Sequence, residues 1–273
     1  MLRSSNPALN PFQTGGTVQQ PTQWTQLAGG AAPGTAAIPA ARPGMMTLGG
    51  TLTASAILIG LTMFSALGSW SLIQTSQGLA LPLGIGGMVV ALICSLVLMF
   101  AHKAAPFVAP IYAIAKGAFV GWISLVVATR IPGNNMEALP FQALILTMAV
   151  AGGMLVGYAT RIIRPGRIFR AVVTAGILGY VLFGLLALVL MLIGNNSLIS
   201  LFSFTNNSPI SIGLSVVVVA LASLALILDF EMIENGIRSG QPKYMEWYAG
   251  WALLVTLIWL YLEILRLLSK LRR

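Results

Sequence analysis

The chain has 273 residues, of which 57% are hydrophobic and only 8% are charged, and its formal net charge is +9. Soluble domains carry about 25% charged residues, so this composition excludes a soluble globular protein and indicates a polytopic membrane protein. The basic residues lie at the ends of apolar runs, as membrane topology requires, and no basic stripe with interleaved aromatic residues is present. Nucleic-acid binding is therefore not expected.

The N-terminal segment, residues 1–45, is rich in Pro, Gly, Gln, Thr and Ala, and its charged residues are Arg3 and Arg42. It shows no helical or strand period, so we predict a disordered tail followed by a membrane domain over residues 46–273. The apolar centre of a signal peptide is absent from this tail.

Seven apolar runs follow, and each is long enough for the roughly 20 residues of a spanning helix. They predict an all-α fold, a bundle of seven transmembrane helices. The runs are Leu48–Ile73, Leu81–Ala101, Ala105–Ala128, Leu139–Thr160, Ala171–Ile193, Ser211–Leu228 and Trp251–Leu268.

Two glycine patterns, Gly117–Gly121 and Gly153–Gly157, place small residues one helical turn apart. Such spacing lets two helices approach closely. Homodimerisation is one interpretation, and contact between helices of one bundle is the favoured one.

The distribution of Lys and Arg sets the orientation. With seven spans, nine basic residues fall on the side of the N-terminus and five on the other, and the segment Arg161–Arg170 decides the sign. We therefore expect a cytoplasmic N-terminus and an external C-terminus. If one run were re-entrant, the basic C-terminal residues would return to the cytoplasm.

Most catalytic chemistry is excluded by residue type. One His and one Cys do not suffice for a multi-histidine metal site, a zinc site with paired cysteines, or most Cys/His enzymes. Neither a P-loop nor a dinucleotide-binding glycine motif is present. An aspartyl intramembrane protease normally uses two aspartates, and the chain has one. We therefore expect that the chain is not an enzyme and that it has neither a cofactor nor a fixed metal ion.

Two acids remain inside or at the edge of apolar runs, Asp229 and Glu263. An ionisable group at membrane depth is costly, so it marks a functional site by default. Because consecutive helices are usually neighbours, these carboxylates could share a proton, sense pH or hold a hard cation such as Ca²⁺. Alternatively, Glu263 pairs with Arg266 along its own helix, and Asp229 is a helix-end acid at the interface.

Helix length decides whether the two acids can meet. If the seventh helix began at Lys243, Glu263 would lie about 30 Å from its start and Asp229 only about 15 Å below the tip of the sixth. Equal depth requires a sixth helix that continues to about Gly240 and a loop over Gln241–Gly250. Gly240 and Pro242 are suitable stop signals for the sixth helix.

Further charges complete the candidate site. Lys116 lies in the middle of the third run, and with Arg266 it is a possible counter-ion to Asp229 or Glu263. Glu231 and Glu234 follow Asp229 at short intervals and are secondary acidic candidates.

The C-terminal segment closely resembles the signature of the Bax inhibitor-1 family in its bacterial branch. The matching stretches are Asp229–Gly236 (DFEMIENG), Glu246–Tyr248 (EWY) and Val255–Leu268 (VTLIWLYLEILRLL). The resemblance implies seven helices with the last one central. It also implies a pH-sensitive Ca²⁺ leak gated by two carboxylates, with Asp229 at the first position and Glu263 at the second.

The same resemblance implies a multi-pass protein of the bacterial inner membrane. The alternative function that the resemblance implies for the chain is that of a non-conducting regulator, because some bacterial relatives modulate a membrane-bound quality-control protease. In either case the lipid bilayer is an expected partner, and Ca²⁺ would be a transported ion.

Overall fold

The computed structural model describes residues 44–130, 138–163 and 165–272. Within these residues it contains seven helical segments long and apolar enough to cross a membrane, which confirms the predicted all-α bundle. The predicted N-terminal tail lies outside the described residues, except for Gly44 and Met45. The helices are α1 (Leu48–Thr75), α2 (Gly87–Phe100), α3 (Ala105–Arg130), α4 (Ala138–Ala159), α5 (Arg167–Leu192), α6 (Pro209–Arg238) and α7 (Met245–Leu271).

The second span begins before α2 itself. A 3₁₀ turn at Gln77–Leu79 and a π-helical turn at Pro82–Gly86 precede the regular helix, and together they complete a span over Gln77–Phe100. Because Pro82 has no amide hydrogen to donate, it fits the first turn of this irregular start.

The last helix is central, as the family resemblance implies. α7 packs against α1, α3, α4 and α6, and half of its most apolar 18-residue stretch is buried inside the bundle. The corresponding buried share of α5 is 6%, and α5 packs mainly on α6. Charges on α7 are therefore shielded from lipid by the protein itself.

Close packing of α1 on α3 depends on two glycines. A Cβ atom at Gly117 would collide with the Thr62 carbonyl, and one at Gly121 would collide with the Ser69 hydroxyl. The favoured interpretation of this pattern, contact within one bundle, is confirmed here. At Gly153 a Cβ would meet no heavy atom within 4 Å, so the second pattern has a different environment.

α6 extends well beyond its apolar part, which the equal-depth argument requires. It ends at Arg238, ten residues after the apolar run closes. Gly240 then adopts a left-handed conformation with φ of 65°, and the Gln241 amide donates to the Gly236 carbonyl at 3.1 Å. A glycine in this conformation is a common helix stop, so the predicted termination signal is confirmed.

The second requirement, a loop over Gln241–Gly250, is wrong. α7 begins at Met245, so most of that segment is helical. The physical reason is Glu246, which is 3% exposed and accepts hydrogen bonds from the Thr47 amide and hydroxyl, both at 2.9 Å. The carboxylate thereby caps the N-terminus of α1, where the helix dipole stabilises negative charge.

Candidate functional site

Asp229 is an acid of the membrane domain that pairs with no basic side chain among the described residues. It lies on α6, partly buried, and no ion pair to it occurs within the described part of the chain. Its Oδ2 atom is buried without a hydrogen-bond partner. The Thr256 hydroxyl on α7 lies within reach of the carboxylate, but the hydrogen bond that it donates in this structure goes to the Ala252 carbonyl at 3.3 Å.

Glu263 has the opposite environment. It is 2% exposed, and the Arg266 guanidinium, one turn further along α7, donates to its Oε1 at 2.7 Å and its Oε2 at 2.6 Å. The Tyr180 hydroxyl of α5 donates to Oε1 at 2.7 Å. The Glu263–Arg266 ion pair, the alternative interpretation of Glu263, is therefore present. The Tyr180 hydroxyl of α5 adds a hydrogen bond to it from a neighbouring helix.

The observed helix bounds place the two acids at different depths. Asp229 lies nine residues before the end of α6, about 14 Å from it, whereas Glu263 lies 18 residues after the start of α7, about 27 Å from it. Thr256, the α7 neighbour of Asp229, precedes Glu263 by seven residues, or about 10 Å along the helix. The structure thus contains two acidic layers, one around Asp229 and Thr256 and the other around Glu263.

Lys116 does not pair with either acid in the described residues. Its ammonium group lies over the Phe119 ring, 5.0 Å from the ring centroid. A cation over an aromatic face gains electrostatic attraction without a carboxylate. The Lys116 charge is therefore stabilised by a side chain of α3 itself, away from the contact between α6 and α7.

The secondary candidates are both occupied by basic partners. Glu231 accepts from Arg170 of α5 at 3.1 Å, and Glu234 pairs with Arg238 at 2.5 Å and accepts from the Tyr158 hydroxyl. These pairs lie beyond Asp229 toward the end of α6. Their charges are balanced locally, which separates them from Asp229.

Lys270 is a deeply buried cation, one of the five basic residues that the sequence predicts on the side opposite the N-terminus. It is 2% exposed, and its ammonium donates to the Leu201 carbonyl at 3.0 Å, the Ser211 carbonyl at 3.0 Å and the Ser215 hydroxyl at 2.8 Å. It therefore ties the end of α7 to the start of α6 and to the preceding segment. Its position seven residues after Glu263, on the same helical face, was the available signal.

The ligands around Asp229 suit a proton or a passing cation better than a resident metal ion. Ca²⁺ takes six to eight oxygen ligands, whereas one carboxylate and one hydroxyl supply only part of that set. Among the described residues, no group of three or more His, Cys, Asp or Glu side chains could hold a metal ion. A buried acceptor without a donor nevertheless requires a partner, and a proton or a cation would provide it.

Comparison with known proteins gives a family but no individual relative. A family model described as "Bax inhibitor 1 like" matches residues 6–273, essentially the whole chain. The match confirms the resemblance first noted in the α6 and α7 sequences. No curated protein and no solved structure matches the chain.

Proposed function

The chain belongs to the Bax inhibitor 1-like family, and we propose that it is a pH-sensitive cation leak in which Asp229 carries the proton or the passing ion. The observation that supports this most is at Asp229, where one carboxylate oxygen is buried in a membrane bundle and no described residue provides a hydrogen-bond donor to it or a counter-ion. Such a group is retained at a cost in stability, and intramembrane acids of this kind mark ion and proton pathways.

Asp229 and Thr256 form the first polar layer of the proposed path. The carboxylate attracts a cation when ionised and loses that attraction when protonated, because the neutral form carries no charge for the ion to meet. The Thr256 hydroxyl adds an oxygen ligand from the neighbouring helix. Protonation of Asp229 is therefore the proposed pH-dependent step.

Glu263 forms the second layer and acts as a closed gate in this conformation. Its two oxygens are occupied by Arg266, and Leu257 and Leu260 of α7, which lie between the layers, are buried. Ion passage then requires Arg266 to release Glu263. We propose Ca²⁺ as the transported ion because hard divalent cations prefer carboxylate and hydroxyl oxygens.

The experiment measures Ca²⁺ entry into proteoliposomes that contain the purified chain and an internal Ca²⁺ indicator, over a series of pH values. We expect wild-type flux to fall as the pH is lowered, because protonation of Asp229 removes the charge that attracts the cation. In Asp229→Asn, flux should fall to that of protein-free vesicles at every pH, because the amide keeps the shape but cannot ionise.

The matched control is Glu231→Gln, an equivalent change two residues away on α6. Glu231 is neutralised by Arg170 and lies outside the proposed path, so flux and its pH dependence should remain. Equal flux from wild type and Asp229→Asn would remove the proposed role of Asp229. Wild-type flux equal to that of empty vesicles would remove the leak itself.

The second candidate, a non-conducting regulator of a membrane quality-control protease, is favoured by the sealed Glu263 layer. Glu263 and Lys270 are both buried with their hydrogen bonds supplied by the chain, as in a bundle that stays closed. This function predicts no flux and stable association with a membrane protease on purification. Vesicle flux and co-purification together separate the two candidates.

We also propose that the protein resides in a bacterial inner membrane with its N-terminus in the cytoplasm. Support for the orientation comes from the odd number of candidate spans, seven among the described residues, and from the nine basic residues predicted on the side of the N-terminus. The bacterial location rests on the resemblance of the α6 and α7 sequences to that branch of the family.

A further inference from the structure

A cavity of about 620 Å³ lies between α1, α3, α4 and α7, apart from the acidic layers. This volume is within the roughly 300–1,000 Å³ usual for small-molecule sites. α1 and α4 both pack on α7 but scarcely on each other, so the cavity has a side opening between them. We call it the α1–α4 groove.

The opening of the α1–α4 groove faces the region that lipid occupies. Leu67 of α1 and Phe141 of α4 line it and are exposed to 70% and 62%, and Met63 and Met148 beside them are exposed as well. All four belong to membrane-spanning helices. Because these helices are candidate membrane spans by length and composition, we expect the hydrocarbon of the bilayer at the entrance.

The floor of the groove is formed by Leu254, Leu257 and Ile258 of α7 together with apolar residues of α3. Each of these three α7 side chains is less than 9% exposed, so lipid that merely surrounds the bundle cannot touch them. Only a chain that enters between α1 and α4 would reach them.

The hydroxyl groups of the lining are already hydrogen-bonded. Thr62 donates to the Leu58 carbonyl at 2.9 Å and Thr147 to the Ala143 carbonyl at 2.7 Å. The Ser124 and Tyr261 hydroxyls form a hydrogen bond of 2.8 Å with each other. Among the described residues no charged side chain lines the groove, so a polar ligand would lose its hydrogen bonds to water without replacement.

From the apolar lining, the satisfied hydroxyls and the opening at hydrocarbon depth, we propose that the α1–α4 groove binds one acyl chain of a bilayer phospholipid. The alternative of a transmembrane helix from a second copy fits less well, because the floor residues are buried while the rim residues are exposed, and a single flexible chain enters such a recess more easily than a helix about 10 Å wide. The inference is independent of ion conduction.

The test uses the full chain in phosphatidylcholine vesicles that contain a phospholipid with a photoreactive diazirine on its acyl chain. After irradiation, proteolysis and mass spectrometry locate the labelled residues. We expect label on Leu254, Leu257 or Ile258, well above the background at Leu226 of α6, which is 0% exposed and outside the groove.

Two sets of rim variants make the test specific. Leu67→Trp combined with Met148→Trp narrows the entrance and should lower floor labelling several-fold, while Phe141→Ala widens it and should raise the labelling. The matched control is Leu182→Trp combined with Leu186→Trp on the exposed face of α5, which should change nothing. Thermal unfolding of each variant identifies any loss of fold.

The proposal would be overturned by floor labelling no higher than that at Leu226. Floor labelling that does not respond to the rim variants would also overturn it. Crosslinking between copies through α1 and α4, with the floor protected, would assign the groove to a second copy instead.

Discussion

Asp229 and Glu263 are acids on consecutive helices of one bundle, yet their surroundings are nearly opposite. Glu263 has a cationic partner one turn away and a hydroxyl donor from α5. Asp229 has only the Thr256 hydroxyl within reach, and its Oδ2 atom receives no hydrogen bond from the described residues. A charge balanced on its own helix contributes to a defined structure. A charge without such a partner is the one that we propose to be available to a proton or an ion.

Lys270 extends the comparison to a buried cation. It is as deeply buried as Glu263 but satisfies its three donors with two carbonyls and a hydroxyl. Together Glu263, Arg266 and Lys270 balance or hydrogen-bond their charges in the C-terminal half of α7, although the Arg266 Nε atom is buried without a hydrogen-bond partner among the described residues. The layer around Asp229 contains no ion pair to this acid among the described residues, and the stability of variants in the two layers should differ accordingly.

The largest effect is expected from Arg266→Gln. It leaves Glu263 buried without its counter-ion, and breaking a buried ion pair on one side typically costs about 3–5 kcal/mol. The free energy of unfolding in mixed micelles titrated with denaturing detergent measures the loss. Glu263→Gln combined with Arg266→Gln should recover most of it, because neither charge is then left alone.

The control for Arg266→Gln is Arg238→Gln, which breaks the pair between Arg238 and Glu234. That pair is largely exposed at Arg238, with 67% of the side chain accessible, so its loss should change stability by less than about 1 kcal/mol. Equal losses from both variants would contradict the distinction between a buried and an exposed pair.

A smaller effect is expected from Lys270→Met, which keeps the length of the side chain but removes its donors. The Leu201 and Ser211 carbonyls and the Ser215 hydroxyl would lose a donor, and leaving buried polar groups unpaired costs about 1–3 kcal/mol. Hydrogen exchange should also increase in the segment before α6, because Lys270 attaches that segment to α7. Unchanged exchange there would contradict this role.

Much of the fold could be predicted from the sequence because it depends on local pattern. Seven apolar runs gave seven helices, and Gly240 marked the end of α6 through its own backbone preference. The choice of Asp229 and Glu263 as candidates followed from the rarity of acids at membrane depth. The Glu263–Arg266 pair was visible as a spacing of three residues on one helix.

The relative depth of the acids could not be predicted because it depends on a distant contact. The start of α7 at Met245 places Glu246 inside the bundle, and this is tolerated because Thr47, 199 residues earlier in the chain, donates to it. No local pattern contains that information. The Tyr180 donor to Glu263 and the carbonyls around Lys270 are long-range contacts of the same kind.

The smallest effect, and the one most specific to the less satisfied layer, is expected from a double-mutant cycle between Asp229 and Thr256. Asp229→Asn alone should change the free energy of unfolding by no more than about 1 kcal/mol, because it removes a charge without an ion-pair partner and keeps the shape of the side chain. Thr256→Val alone removes the hydroxyl that lies within reach of the carboxylate. The coupling between the two changes should be about 1 kcal/mol, the excess of a hydrogen bond to a charged acceptor over one to the neutral amide oxygen of Asn. A coupling near zero would mean that Thr256 does not hold Asp229.

A loss from Asp229→Asn as large as that from Arg266→Gln would mean that the Asp229 carboxylate is as strongly bound as Glu263, and the contrast between the two layers would then be lost.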